Sequence, residues 1–241
     1  KAAMIIGNGP SSYEAGEIWH LLDTRVGMPI SKLPIRNIDR VSLDAYNTLV
    51  MVSGRYALSE RFTKKLSDWV SKGNTLITIG SGSSWAVNAK FVNEKLIKAP
   101  SDSTEIVQRK PYVDARENIG KEALGGVFLK GDLDLSHPLG FGYDQSRIAL
   151  YKNNEVWLSP SKSAYGTVID YTDNPHLDGY ISPKNSRDFL PKSASLIVSP
   201  KGSGRVVMFA DNPNFRGVNY GMNRLFLNAI FLGNHIQVPA E

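Results

Sequence analysis

The sequence predicts an α/β protein: a parallel sheet with helices on both faces, carrying a β-rich insertion. Three observations predict it. Four short apolar runs recur, "AAMIIG", "NTLVMVSG", "TLITIG" and "RVVMFAD", each closed by turn residues. Helical patterns follow three of them directly. From about residue 100 to 199 the pattern changes to short β-like runs among Gly, Pro, Asn and Asp.

The elements follow in order. "AAMII" is a buried first strand, with Met4–Ile6 at its centre. Ser11 and Glu14 have capping-box spacing, so a helix starts there and turns Ala15, Ile18, Trp19 and Leu22 inward. "MPISKLPIRNI" is broken by proline and suits a short edge strand. Leu49–Val52 is a buried strand. Ser59 caps the next helix, whose inner face is Phe62, Leu66, Trp69 and Val70 and whose end is marked by Gly73. Leu76–Ile79 is a third buried strand, and "SSWAVNAKFVNEKL" reads as helix. The stretch up to Gly126 is polar, with room for one short helix. Five β-like runs follow: "GVFLKGDLDL", "SRIALY", "EVWLSP", "YGTVIDY" and "ASLIVSP". They read as an insertion or a second, mostly antiparallel layer. Val206–Phe209 returns to the buried sheet. The last helix turns Met222, Leu225, Phe226, Ala229 and Ile230 inward and stops at Gly233; "NHIQVPAE" reads as a frayed end. The 241 residues thus read as one domain. The chain opens almost at once on a strand, which suggests a piece cut from a longer protein.

Composition narrows the function classes. The net charge is +5, yet no Lys/Arg run exceeds two residues and no clustered basic face is legible, which argues against nucleic-acid binding. No apolar stretch reaches the ~20 residues of a membrane span. The chain has no cysteine, so disulfides, thiolate metal sites and a Cys nucleophile are excluded. "GNGPSS" begins like a dinucleotide fingerprint, but Ser12 stands at the third glycine and Pro10 removes a donor. It reads as a turn.

"NTLITIGSGSSWAV" runs from strand through a Gly/Ser bend into helix, the setting of a nucleophile elbow. Ser81 and Ser83 are the candidate nucleophiles of a cryptic serine hydrolase. Such a serine needs a base. The four histidines are His20, His137, His176 and His235, and nothing in the sequence brings one to the bend. The competing reading is a turn that lets a helix start tightly against the sheet. Asp132, Asp134 and His137 in "KGDLDLSHP" are the candidate ligands for a hard cation, against a solvated strand face or loop cap. Trp157, Tyr165, His176 and Asp178 are candidates for lining a glycan or peptide groove in the insertion.

The order "YNTLVMVSGRYA … LSDWVSKGNTLITIGSGSSWA … GSGRVVMFADNPNFRGVNYGMNRLFLNAIFLG" resembles the class I glutamine amidotransferase-like fold, of flavodoxin-like architecture. More narrowly, "SSYEAGEIWHLLDTRVGMPISKLP" and "FADNPNFRGVNYGMNRLFLNAIFLG" resemble the C-terminal domain appended to large bacterial zinc carboxypeptidases, relatives of carboxypeptidase A. The likeness covers both ends of the chain. In the amidotransferases the strand before the elbow ends in Ile-Cys-x-Gly; here Ile79-Gly80-Ser81-Gly82 puts Gly80 where the cysteine would be. The family's His-x-Glu pair is replaced by Ala210, Asp211 and Asn212. The resemblance therefore implies a non-catalytic accessory domain that is structural, docks, or positions substrate. It implies no cofactor in this chain, zinc and catalysis in an upstream peptidase domain that is its partner, and a periplasmic or secreted location. Self-association, as for a similar domain that promotes trimers in some β-galactosidases, and glycan or peptide binding remain alternatives.

Overall fold

The structure, a computed structural model, describes residues 1–98 and 109–237. Among the described residues nine strands form one sheet in the order β2-β1-β3-β4-β9-β8-β7-β5-β6. β1 (Ala2–Ile6), β2 (Ser31–Pro34), β3 (Thr48–Met51), β4 (Thr75–Ile79) and β9 (Gly204–Phe209) run parallel. β5 (Val127–Leu133), β6 (Arg147–Lys152), β7 (Thr167–Gly179) and β8 (Ala194–Lys201) extend the sheet antiparallel from β9. The four apolar runs read from the sequence are β1, β3, β4 and β9, and the Pro-broken segment holds edge strand β2.

Period-two alternation sorts each parallel strand between two cores. Ala2, Met4, Val50, Ile77 and Val207 face one side, with Ile18 of α1 (Ser12–His20) and Phe226 of α5 (Tyr220–Leu232). Ala3, Ile5, Leu49, Leu76 and Val206 face the other, with Phe62 and Leu66 of α2 (Glu60–Ser71) and Ala86 of α3 (Ser81–Asn88). Caps fix where helices start. Ser59 Oγ accepts from Phe62 N at 3.0 Å. Ser11 Oγ accepts from Glu14 N at 3.3 Å, but the Glu14 carboxylate does not close a capping box and instead binds Ser53 N at 2.7 Å.

Several expectations change. The β-rich stretch is not a second layer; it continues the same sheet, because β9 pairs parallel with β4 and antiparallel with β8. The start of that stretch near residue 100 lies outside the described residues. "EVWLSP" forms no strand; only Leu158 makes isolated bridges, to Leu96 and Ala194. Trp19 is 47% exposed under the Lys32 ammonium, because at about 100° per residue it is rotated off the Ala15–Ile18–Leu22 stripe. The helix after β4 stops at Asn88. Lys90 takes φ +53 and turns Phe91 and Val92 into the core. α4 (Ala115–Glu122) is the expected short helix. The C-terminal tail is anchored as far as Ile236, which is 2% exposed; the tail residues beyond 237 lie outside the described ones.

Candidate functional site

β4 ends at Ile79 and α3 starts at Ser81, so Gly80 alone reverses the chain. It does so at φ +53, ψ −122, a conformation that side chains of L-residues rarely adopt. This is the geometry of a strand–helix elbow. The space a nucleophile would need is already filled: a Cβ built on Gly80 meets Ser53 Oγ at 2.2 Å. Ser53 is tied on three sides. Its N–H donates to Glu14 Oε2 at 2.7 Å, its carbonyl accepts from Ser11 N at 2.7 Å, and its hydroxyl donates to Ile79 O at 3.4 Å. Burial raises the Glu14 carboxyl above its ordinary value, and the bonds from Ser53 oppose that shift.

Three loops at the carboxyl ends of the parallel strands are knitted together around the elbow. Arg55 N donates to Gly9 O at 3.1 Å, and Pro10 bridges Gly54. Ser81 Oγ accepts from Gly54 N at 2.8 Å and donates to Gly54 O at 3.3 Å. Ser83 is wholly buried. Its hydroxyl donates to Phe209 O at 2.9 Å and lies 2.8 Å from Thr78 Oγ1. Both candidate serines thus spend their hydroxyls on backbone of neighbouring strands and loops. Gly82 packs against backbone: a Cβ there would sit 2.7 Å from Met51 O and 2.8 Å from Val52 O.

No histidine completes a nucleophile–base pair among the described residues. His137 Nδ1 accepts from Leu139 N at 3.1 Å as a helix cap. His176 Nε2 lies 2.7 Å from Gly179 O at the end of β7. The position after β9, where the resemblance expected a His-x-Glu pair, holds a different group. Asp211 is fully buried. It accepts from Lys152 Nζ at 3.0 Å, Tyr171 OH at 2.7 Å and Ser195 Oγ at 2.5 Å. Lys152, equally buried, also donates to Val156 O at 2.7 Å and lies 4.4 Å from the Trp157 ring centroid. Burial pushes the Lys152 amine down and the Tyr171 phenol up. The network ties β6, β7 and β8 to the chain leaving β9. Next to it Asn154 Nδ2 donates to Ala210 O at 3.0 Å, and a Cβ on Gly80 would come within 3.9 Å of the same Nδ2.

Sequence reasoning missed Ser53, Asn154 and the Lys152–Asp211 pair. One signal was present: Ile148, Leu150 and Lys152 alternate on one side of β6, so the lysine had to follow Leu150 inward.

The other candidates separate. Asp132 pairs with Arg147 at 2.6 Å. Asp134 accepts from Ser136 N and Ser136 Oγ, which hold its carboxyl below the ordinary range. With His137 capping a turn, the three do not converge on a cation. Among the described residues no group of three or more His, Asp or Glu side chains comes together as a metal site requires. Trp157 is 4% exposed and stacks on Phe189, so it belongs to the core. Tyr165 is exposed before β7, whereas His176 and Asp178 lie near that strand's other end, ~30 Å away at about 3.3 Å per residue. These four residues do not form one groove. Among the described residues no helix is long and apolar enough to cross a membrane.

No protein-family model matches the chain, and no curated protein matches it. Solved structures do. A ThuA-like protein from Parabacteroides merdae aligns over 100% of this chain and 91% of its own, with TM-score 0.62 and 11% identity. A GMP synthase protein from Thermoplasma acidophilum aligns over 95% and 92%, with TM-score 0.56 and 14% identity. The fold is that of the class I glutamine amidotransferases. A β-galactosidase from Bacillus circulans aligns over 97% of this chain but 30% of its own, with TM-score 0.53 and 12% identity. The amidotransferase fold thus also occurs as one part of a larger enzyme. At these identities the likeness concerns the fold alone.

Proposed function

We propose that this chain is a non-catalytic module on an amidotransferase fold, serving as a structural, docking or substrate-positioning part of a larger enzyme. One observation carries the reading: the elbow residue is Gly80, and the Ser53 hydroxyl fills the place of its missing side chain. The interlocked loops around it support the same reading, because they hold the hydroxyls of Ser53 and Ser81 in hydrogen bonds to backbone. The β-galactosidase supports the idea of a fold used as a part. The finer reading is attachment to a bacterial zinc carboxypeptidase, with zinc and catalysis in that partner and a periplasmic or secreted location. It draws on the resemblance of the first and last helical segments. Reading the gene upstream of Lys1 tests it: a zinc carboxypeptidase motif supports it, and a catalytic domain of another class overturns it.

The experiment on the module itself is glutamine hydrolysis by the purified chain. Glutamate release equal to a protein-free control is expected. Release that disappears in Ser81→Ala overturns the reading in favour of the serine hydrolase. No observation favours that rival, since Ser81 and Ser83 are both hydrogen-bonded to backbone.

A further inference from the structure

A cleft of about 370 Å³ opens between α1 and the loop that follows β9. Its size lies within the range of small-ligand pockets, about 300–1,000 Å³. It lies beside the elbow: Glu17, one turn after Glu14 on α1, lines it, and Asn212 Nδ2 donates to Glu17 Oε2 at 2.7 Å.

Two asparagines in its wall are buried, Asn214 at 4% and Asn223 at 8% exposure. Neither the side-chain oxygen nor the nitrogen of Asn214 has a hydrogen-bond partner, and the Asn223 oxygen has none, among the described residues. Buried amide atoms are nearly always paired; these three expose less than 1 Å² each, so they lie just behind the cleft surface, and a partner reaches them only with a shift of the wall.

Two arginines face the same space. Arg25 stacks on the Tyr220 ring, 4.2 Å from its centroid, and Arg216 lies 5.2 Å from the Phe215 ring centroid. Neither guanidinium has an ion-pair partner among the described residues. Arg216 is held at φ +46, ψ 21, a left-handed conformation unfavourable for arginine. The clamp is visible: Arg216 N donates to Glu17 Oε1 at 3.1 Å. Strain held in this way marks a loop fixed to present its side chain. Two guanidinium charges against the Glu17 carboxylate leave one positive charge in excess. That balance suits a monoanion, and the forked donors of arginine match a carboxylate.

We propose that this cleft binds a small monocarboxylate flanked by hydrogen-bonding groups, of the kind found at a peptide C-terminus or in a uronic acid. The carboxylate meets Arg25 and Arg216, and the flanking amide or hydroxyl groups reach Asn214 and Asn223 once the wall shifts to uncover them. The proposal stands whether or not the elbow is inactive.

Calorimetric titration of the purified chain tests it with four probes: N-acetyl-alanyl-alanine, its C-terminal amide, D-glucuronate and inorganic phosphate. At least one carboxylate is expected to bind saturably. The C-terminal amide should bind at least roughly tenfold more weakly than its acid, the loss typical of a hydrogen bond to a charged group. Arg216→Gln and Arg25→Gln change exposed side chains and should keep the melting temperature while weakening carboxylate binding by a similar factor. Binding of glucuronate without the peptide supports the proposal and assigns the source to an acidic sugar; the reverse assigns it to a peptide end. Acid and amide binding equally, unchanged affinity in both arginine variants, phosphate binding more tightly than either carboxylate, or no saturation up to about 10 mM by either carboxylate overturns it.

Discussion

Gly80→Ala tests the elbow most sharply. At an unstrained position this change stabilises a protein by about 0.4–1 kcal/mol. Here it should do the opposite. The backbone at φ +53, ψ −122 must be kept by a residue that disfavours it, at a cost of about 1–3 kcal/mol. The new Cβ would stand 2.2 Å from Ser53 Oγ, so Ser53 must rotate and give up its bond to Ile79 O. That loss adds about 0.5–1.5 kcal/mol. The total is about 1.5–4.5 kcal/mol. At about 2–4 °C per kcal/mol for a chain of this size, the melting temperature should fall by about 3–18 °C. Thermal and urea melts of Gly80→Ala, Ser53→Ala and the double variant supply the assay. Ser53→Ala removes the obstructing atom and leaves Ser53 Cβ at 3.5 Å and Asn154 Nδ2 at 3.9 Å, both ordinary contacts. The double variant should therefore cost about 0.5–1.5 kcal/mol less than the sum of the singles. A Gly80→Ala protein that melts at or above the parent temperature refutes the reasoning, and so does strict additivity.

Three further outcomes follow from the same neighbourhood. Ser81→Ala should cost no more than about 0.5–2 kcal/mol, whereas Gly82→Val should prevent folding or cost far more, because its Cβ meets two backbone carbonyls; equal melts for the two variants contradict this. Lys152→Met should cost about 3–5 kcal/mol in urea unfolding by leaving Asp211 charged, buried and short of one donor, and Asp211→Asn in the same chain should recover part of the loss. Glu14 has a folded-state pKa raised by burial, so the stability its carboxyl contributes is present below the ordinary 4.5 and lost as pH rises through the folded value. The melting temperature of Glu14→Gln relative to the parent should accordingly be more favourable at pH 7 than at pH 4, and a pH-independent difference would show that the carboxyl is not raised.

The parallel half was legible because its signals are local. Four apolar runs, the Ser59 cap and the stripe Phe62–Leu66–Trp69–Val70 each lie within one element. The elbow was legible for the same reason, since Ile79, Gly80 and Ser81 are consecutive. The contents of the site were not. Ser53 reaches Gly80 across 27 residues, and Lys152 meets Asp211 across 59. No pattern within one segment encodes such pairings. That β8 joins the same sheet as β9 was hidden too, because an antiparallel apolar strand reads alike in a second layer and at a parallel–antiparallel junction of one sheet. Trp157, Tyr165, His176 and Asp178 misled for a compositional reason: aromatic and polar residues in a loop-rich stretch look like a groove whether or not they meet.

The central claim is that the elbow holds no working nucleophile and that its serines are structural. Intact-mass analysis after treatment with a fluorophosphonate, which labels activated serines, tests it most directly. The account predicts the unmodified mass of the chain. A stoichiometric adduct mapped to Ser81 or Ser83 would contradict it.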